Sequence, residues 1–420
     1  MKIRLSASEI SLVLKKAIQS GQFSNEDSAV IFQDLGFLEN RIKHLKQLFP
    51  ENTLHAIAAK ANPLPAILEH IRPIDVGVEC ATLSEVYLAQ KSGYDPKKIV
   101  FDSPAKTIEE IKYALKAGIH INADSFEELE RINNLLKSNP TKSIIGLRIN
   151  PQVGSGKISI TSVAGTYSKF AIPITEFENE LIESYQKYDW LSGIHMHIGS
   201  QGCSLDQLLE AAEKLSLLLG KIGDFIKWVD IGGGLPVIYE EGKTAPSMET
   251  YATELQKRFP ELFDGRYKII TEFGRYIHAN AGWTASKVEY VKKSSGVNTA
   301  VIHVGADQLM RRAYQPEFWY HDISVADKNG NLKPTTRTEN YTVAGPLCFG
   351  GDIIARDIEL PVINEDDYII IHDTGAYTLS MWCRHTSRQI PKVVGYQNDG
   401  GKFQTLKKRE SLEDVYNFWK

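Results

Sequence analysis

Eight short apolar runs recur along residues 54–275, and amphipathic segments separate them. The unbroken apolar character of these runs is typical of parallel strands that are buried on both faces. Residues 37–49 place Leu38, Ile42, Leu45 and Phe49 on one helical face, as a helix packed on such a sheet requires. Eight alternating strand–helix units predict a closed (β/α)8 barrel. The predicted strands are 54–60, 74–80, 98–103, 119–125, 143–150, 191–200, 228–234 and 268–275.

The pattern changes after residue 280, where short β-like runs such as AVIHVGA, NYTVAG and DYIIIHD are separated by Gly, Pro and Asn turns. We therefore predict an α/β protein with a barrel over residues 28–279 and a β-rich domain over 280–420. The segment 1–27 is expected to pair with the β-rich domain.

Charge and cysteine content narrow the function classes. The 420 residues include 48 basic and 52 acidic side chains, a balance that does not suggest a nucleic-acid binder. The N-terminus lacks the apolar stretch of a signal peptide, and no run approaches a membrane span. We expect a cytoplasmic protein without membrane contact. The four cysteines form no CxxC pair, so neither disulfides nor a metal site are expected.

Polar or glycine residues end every predicted strand, at the face where barrels carry their chemistry. Gly232, Gly233 and Gly234 follow the seventh strand, and Gly274 and Arg275 follow the eighth. Glycine lets backbone amides approach an anion, and the ends of strands seven and eight are a common phosphate position. The alternative is an ordinary glycine turn.

Lys60 and Glu272 are two further candidates for binding a phosphate-bearing cofactor at these strand ends. Lys60 follows the small residues AIAA, where desolvation would lower its pKa and favour an imine with an aldehyde. A carboxylate such as Glu272 facing a pyridine nitrogen would keep that nitrogen protonated and make the ring an electron sink. Lysine, phosphate cradle and carboxylate together indicate pyridoxal 5'-phosphate, although a surface lysine is the commoner role for any one lysine.

These residues lie in motifs that resemble, in order, those of the fold type III pyridoxal-phosphate decarboxylases, the ornithine, diaminopimelate and biosynthetic arginine decarboxylase group. Two positions depart from the family's pattern: Glu79 replaces the usual Asp, and Thr82 replaces Ser. The fold expected from this resemblance is an alanine-racemase-like TIM barrel with a C-terminal β-rich domain. The motifs are AAKAN (58–62), GVECATLSE (77–85), RINP (148–151), SKFAI (168–172), HMHIGSQ (195–201), DIGGGLP (230–236), EFGR (272–275), GPLCFGGD (345–352) and DTGAYT (373–378).

The resemblance implies a role for each matching residue. Lys60 would form the imine with the cofactor, His197 would stack on its ring, and Glu79 would lie beside that ring. Glu272 would pair with the pyridine nitrogen, and Tyr377 would reach the cofactor. Each has a plain structural alternative, such as a core histidine, a helix-terminal carboxylate or a buried aromatic. The phosphate would be held by Ser200, Gly232, Gly233, Gly234, Gly274 and Arg275.

In the family a cysteine of the β-rich domain reaches the active site of the other subunit, and here that residue is Cys348. The resemblance implies that its thiol returns a proton to Cα after carbon dioxide leaves. It further implies a homodimer with shared active sites that acts on a small amino-acid substrate. Lys60, His197 and Cys348 are therefore the predicted catalytic residues.

Phe349 occupies the position where ornithine and diaminopimelate decarboxylases carry an acid that meets the distal amine of the substrate. ADQLMRRAY (306–314) imperfectly resembles a diaminopimelate-enzyme segment, and Arg311 or Arg312, with Arg275, could hold a distal carboxylate. A surface arginine pair is the alternative. We therefore expect a substrate with a distal carboxylate or acyl-type group, of siderophore or natural-product type, with meso-diaminopimelate as the alternative. The predicted substrate-binding residues are Arg275, Arg311, Arg312, Tyr314, Phe349 and Tyr377.

Two other classes compete with decarboxylation. In alanine racemase an arginine faces the pyridine nitrogen, so Glu272 argues against a racemase. Non-catalytic pyridoxal-phosphate proteins resemble a lone barrel, whereas this chain adds a domain with Cys348 and Tyr377.

Overall fold

The computed structural model describes residues 2–138, 140–165 and 167–420. Contacts divide the chain into two compact units. The barrel unit comprises Arg41–Val237 and Ala245–Ile277, and the β unit comprises Met1–Asn40, Ile238–Thr244 and His278–Lys420. Strands and helices are numbered below in chain order.

The barrel unit is a closed ring of eight parallel strands, in which β5 pairs with β6 to complete the order β5-β4-β3-β2-β10-β9-β8-β6. All eight predicted apolar runs form these strands, so the predicted barrel is confirmed. A ninth, two-residue strand, β7 (Ile172–Pro173), pairs with β6. The eight are β2 (Leu54–Ala58), β3 (Gly77–Cys80), β4 (Ile99–Asp102), β5 (His120–Ala123), β6 (Ile145–Asn150), β8 (Leu191–Met196), β9 (Trp228–Asp230) and β10 (Lys268–Thr271).

Helices follow the strands, and polar side chains fix where several of them begin. Thr107, for example, accepts the backbone N–H of Glu110 at the start of α5, and Gly118, with φ 74°, ends that helix. Small and β-branched residues, Ala56, Val100 and Ile270, are fully buried together. The helices are α2 (Leu35–Leu48, shared with the β unit), α3 (Pro65–Ile71), α4 (Leu83–Lys91), α5 (Ile108–Ala117), α6 (Phe126–Leu136), α7 (Ile174–Lys187), α8 (Leu205–Ile222), α9 (Met248–Arg258) and α10 (Gly274–His278, whose last residue belongs to the β unit).

The β unit is built on a sheet of order β15-β14-β12-β11-β1-β17-β18, in which β16 pairs with both β11 and β13. The pairs β1–β17 and β12–β14 are parallel, and the others are antiparallel. The predicted β-rich domain is thereby confirmed as a fold class. Its elements are α1 (Ala7–Gln19), β1 (Ala29–Asp34), β11 (Gly282–Ser294), β12 (Val297–Ile302), α11 (Met310–Tyr314), β13 (Ile323–Ala326), β14 (Thr338–Ala344), β15 (Ile353–Pro361), β16 (Tyr368–Ile371), β17 (Lys392–Gln397), β18 (Lys402–Lys407) and α12 (Leu412–Trp419).

The contact units differ from the predicted domains at residues 28–40, 238–244 and 278–279, all of which group with the β unit. Strand β1 hydrogen-bonds to β11 and β17, which groups residues 29–40 with the β unit rather than with the barrel. The first residues form helix α1, whose Ser11 hydroxyl donates to the carbonyl of Gly330. The domain boundaries at 28 and 280 stay predictions. In the described part of the chain, no helix has the length and hydropathy to span a membrane.

Candidate active site

Lys60 and Glu79 form an ion pair where two adjacent barrel strands end. Lys60 lies in a short turn directly after β2, and its Nζ is 2.6 Å from Oε2 of Glu79, which is fully buried in β3. Burial raises the pKa of Glu79 to about 8, against the opposing pull of the Lys60 ammonium. Because this pKa lies near neutral pH, the Glu79 carboxyl group can exchange a proton with Nζ, and the neutral amine is nucleophilic.

His197 follows β8 and has a neutral ring. Its Nδ1 accepts the backbone N–H of Gly233 at 3.1 Å, so the ring proton lies on Nε2. Burial lowers the pKa of His197 to about 3. The imidazole is therefore uncharged at neutral pH, as a ring that stacks on a cofactor can be.

The glycine loop after β9 is held by its neighbours. Gly232 and Gly234 have φ of 65° and 105°, in the left-handed region that favours glycine. The Gly232 N–H donates to Oδ1 of Asp230 at 2.9 Å, and a Cβ at Gly234 would meet the carbonyl oxygen of Gly199 at 2.5 Å. The loop therefore has no room for side chains at these positions.

Ser200 and Arg275 meet beside this loop. Arg275 is buried, and its Nε donates to Oγ of Ser200 at 3.1 Å. These residues and the glycines follow β8, β9 and β10, which are neighbours in the barrel. A guanidinium, a hydroxyl and a tight glycine loop are together suited to a phosphate group.

Glu272, directly after β10, has one oxygen occupied and one available. Its Oε2 is 3.5 Å from Nε2 of His195 and 3.9 Å from Nδ1 of His197. Its buried Oε1 has no hydrogen-bond partner among the described residues. Burial opposes ionisation, but the attraction of His195 and Lys60 lowers the pKa of Glu272. An ionised carboxylate with a vacant buried acceptor fits a protonated pyridine nitrogen.

Four buried residues connected to this site were given no role by the sequence reasoning: Asp102, Arg148, His195 and Asp230. The strand register sets Arg148 opposite His195 and His195 opposite Asp230, which places all three at one level of the barrel. Arg148 Nη1 is 2.5 Å from Asp102 Oδ2. The spacing of His195 and His197 was the available signal, because residues two apart on a strand share a face.

Cys348 lies in the β unit on the segment between β14 and β15, and its side chain is exposed. Asp352 holds this segment, since its carboxylate accepts the backbone N–H groups of Ala306 at 2.5 Å and Leu347 at 2.7 Å. Phe349, next to Cys348, stacks on Tyr314 with ring centroids 5.4 Å apart. The chain thus presents a thiol beside an aromatic pair.

The two predicted arginines of α11 have different surroundings. The Arg311 guanidinium lies over the rings of Trp319 and Tyr377, 4.6 and 5.0 Å from their centroids. Arg312 Nη1 instead donates to the backbone carbonyls of Pro316 and Trp319 at 2.8 and 3.0 Å. Arg312 therefore stabilises the backbone of its own segment, whereas Arg311 contacts the ring of Tyr377. The backbone of Tyr377 is left-handed, with a φ of 55°.

Comparison with known proteins identifies the family. Residues 35–279 match the family described as pyridoxal-dependent decarboxylase, pyridoxal binding domain. The chain belongs to this family. It is 33% identical over 370 residues to the diaminopimelate decarboxylase of Zymomonas mobilis, covering 86% of this chain and 85% of that protein. It is 29% identical over 408 residues to the enzyme of the same name from Helicobacter pylori, covering 94% and 96%. A crystal structure of the Helicobacter pylori enzyme complexed with L-lysine superposes with a TM-score of 0.85, at 28% identity, over 96% of this chain and 99% of that one.

These findings confirm the prediction of a pyridoxal-phosphate-dependent amino-acid decarboxylase. They favour it over a racemase and over a non-catalytic carrier. The expected substrate class, a siderophore-type or natural-product-type amino acid, is wrong: the relatives are diaminopimelate decarboxylases, which was the alternative. The error came from Phe349. Loss of one acid in a loop shows which contact is missing, but it does not identify another substrate.

Proposed function

We propose that this decarboxylase acts on meso-diaminopimelate and releases lysine and carbon dioxide. The similarity to diaminopimelate decarboxylases carries the proposal, because it spans both units and at least 85% of each relative cited above. The cytoplasmic location and the absence of nucleic-acid binding stay predictions.

The barrel unit would bind the cofactor. Lys60 Nζ would hold its aldehyde carbon, and the carboxyl group of Glu79, 2.6 Å from that nitrogen, would orient it. Glu272 Oε1 would accept the pyridinium N–H, and the neutral ring of His197 would stack on the pyridine ring. When bound, the cofactor accepts the electron pair that the departing carbon dioxide leaves on Cα. The phosphate would be held by Ser200, Gly232, Gly233, Gly234, Gly274 and Arg275.

The β unit would bind the distal end of the substrate. The distal carbon of diaminopimelate carries both a carboxylate and an ammonium group. The guanidinium of Arg311, held over the rings of Trp319 and Tyr377, would pair with the carboxylate. The stacked rings of Phe349 and Tyr314 would offer the ammonium a cation–π contact where the family has an acid.

We infer that the enzyme is a homodimer whose sites combine Lys60 of one chain with Cys348 of the other. The Cys348 thiol is exposed in the single chain, whereas a donor that protonates Cα has to lie in a closed site. A second chain would supply the missing cover. Mixing Lys60→Ala chains with Cys348→Ala chains, each of which should have little activity alone, tests it. Exchange should restore about a quarter of the wild-type activity, since half of the dimers are mixed and each then has one intact site. No recovery after verified exchange would contradict sharing.

Carbon dioxide release from a panel of amino acids tests the substrate. We expect kcat/KM for meso-diaminopimelate to exceed that for lysine, ornithine and arginine by at least about 10²-fold, because a site built for a distal carboxylate leaves polar groups unpaired with the others. Turnover of another panel member with none of diaminopimelate would overturn the substrate and leave the decarboxylase assignment standing.

A further inference from the structure

His195 is the first histidine of the HMH motif, and the roles proposed above use only the second. It lies on β8 and is fully buried, with 0% of its side chain exposed. A buried imidazole is commonly neutral, because burial disfavours the charged form. The surroundings of His195 favour the opposite state.

Both ring nitrogens of His195 face carboxylates. Nδ1 is 3.4 Å from Oδ1 of Asp102, and Nε2 is 3.5 Å from Oε2 of Glu272. A neutral imidazole has one N–H and one lone pair, so one nitrogen would set its lone pair against a carboxylate oxygen. Only the imidazolium presents an N–H to both partners.

The charges around the ring favour an imidazolium at His195. Burial lowers the pKa of His195, but the charges of Glu272 and Asp102 outweigh it and raise the pKa well above its usual range. Burial and the nearby Glu272 raise the pKa of Asp230, so Asp230 keeps its proton. The two ionised carboxylates then attract cations on both sides: Asp102 attracts His195, Arg148 and Lys106, and Glu272 attracts His195 and Lys60. The titratable and charged groups around the ring are Asp102, His120, Arg148, His197, Asp230 and Glu272.

The charged contacts continue outward from His195. Arg148 Nη1 is 2.5 Å from the Asp102 oxygen that does not face His195. On the other side, His195 faces Oε2 of Glu272, and the protonated carboxyl group of Asp230 also contacts this carboxylate. The series Arg148–Asp102–His195 therefore ends on the carboxylate to which the pyridine nitrogen is assigned.

We propose that His195 is a positioning residue whose imidazolium, held by Asp102 and Arg148, orients Glu272 and keeps that carboxylate ionised for the pyridine nitrogen. This inference rests on the role of Glu272 in the proposed function. Its consequences for the protein can be measured both without cofactor and with it.

The first test uses the cofactor-free protein. Histidine 15N NMR at about pH 9, where an ordinary imidazole is neutral, should show one ring that still carries both protons. The signal should vanish in His195→Gln and persist in His55→Gln. His55 is a matched control, because it is also a buried barrel histidine but its Nδ1 lies 2.8 Å from the Thr271 hydroxyl. A wild-type spectrum without any doubly protonated ring at that pH overturns the proposal, even if His195→Gln does not fold.

The second test is a double-mutant cycle on the cofactor-loaded enzyme. His195→Gln should lower kcat by about 10²-fold, as misplacement of a catalytic group does, and change KM by less than about threefold. In a Glu272→Gln background the same change should cost less than about threefold, because the oriented carboxylate is already gone. Independent, multiplying effects would overturn the role of His195. A Glu272→Gln enzyme with full activity would instead overturn the proposed role of Glu272, so the two failures are distinguishable.

Discussion

The candidate residues at the carboxyl ends of the barrel strands are buried, whereas those on the loops of the β unit are largely exposed. In the barrel unit, Glu79, His195 and Glu272 are buried and each faces a charged partner. In the β unit, Cys348 and Tyr314 are exposed, and Phe349 is half-buried against Tyr314. Charges that are fixed within one chain suit a cofactor that never leaves. Exposed groups suit a substrate that enters and, in the proposed dimer, a second chain.

The largest effect should follow the loss of Lys60. Lys60→Ala should lower kcat by at least about 10⁴-fold, because the nucleophilic amine is removed, whereas exposed Lys97→Ala should be neutral. Borohydride reduction followed by peptide mass spectrometry should place the cofactor on the Lys60 peptide. An adduct on any other lysine would contradict the assignment of Lys60 as the cofactor lysine. The barrel strand ends would then not be the cofactor site.

Cys348 should separate proton return from cofactor binding. Cys348→Ala should lower kcat by about 10²-fold, since a general acid is lost, while cofactor content and KM stay close to wild type. Cysteine 383, also in the β unit and donating to the carbonyl of Ala306, supplies the control Cys383→Ala. If Cys348→Ala loses its cofactor, the assignment of cofactor binding to the barrel unit and of proton return to the β unit is wrong.

The fold was predictable because its signals are local. Parallel strands buried on both faces give unbroken apolar runs, and the eight runs matched the eight barrel strands. Pairing between distant segments has no such signal. Strand β1 joins β17, more than 350 residues away, and nothing in the sequence of 29–34 indicates that partner.

The site shows the same limit. Lys60, Glu79, His197 and Glu272 follow or end strands and belong to recognisable motifs, so they could be predicted. The role of His195 depends on facing both Asp102 and Glu272, and that follows from the register of separate strands. The substrate was mispredicted because Phe349 reveals a missing carboxylate, whereas recognition depends on side chains from several segments.

Arg311 and Arg312 offer a matched pair for substrate binding. Arg311→Gln should raise KM for meso-diaminopimelate about tenfold with little change in kcat, because a charge-assisted contact to the distal carboxylate is lost. Arg312→Gln should leave KM unchanged and lower the melting temperature instead, since Arg312 donates to two backbone carbonyls. The opposite result, with KM sensitive to Arg312 alone, would reassign the distal site.

The smallest effect concerns the stability of the cofactor-free protein as pH rises. The pKa of Glu79 is raised to about 8 by burial, from an ordinary value of 4.5. The folded state therefore holds this proton more tightly than the unfolded chain does. Its contribution to stability is complete below pH 4.5 and is lost as pH rises through about 8. The loss is at most about 1.4 kcal/mol per pH unit.

Urea unfolding between those pH values should therefore show a shallower decline for Glu79→Gln than for wild type. Glu183→Gln, an exposed change on α7, should follow the wild-type curve. Parallel wild-type and Glu79→Gln curves would mean that Glu79 titrates alike in the folded and unfolded chains. Glu79 would then respond to pH as a solvated carboxylate does. The strand ends of the barrel would not differ in electrostatics from the exposed loops of the β unit.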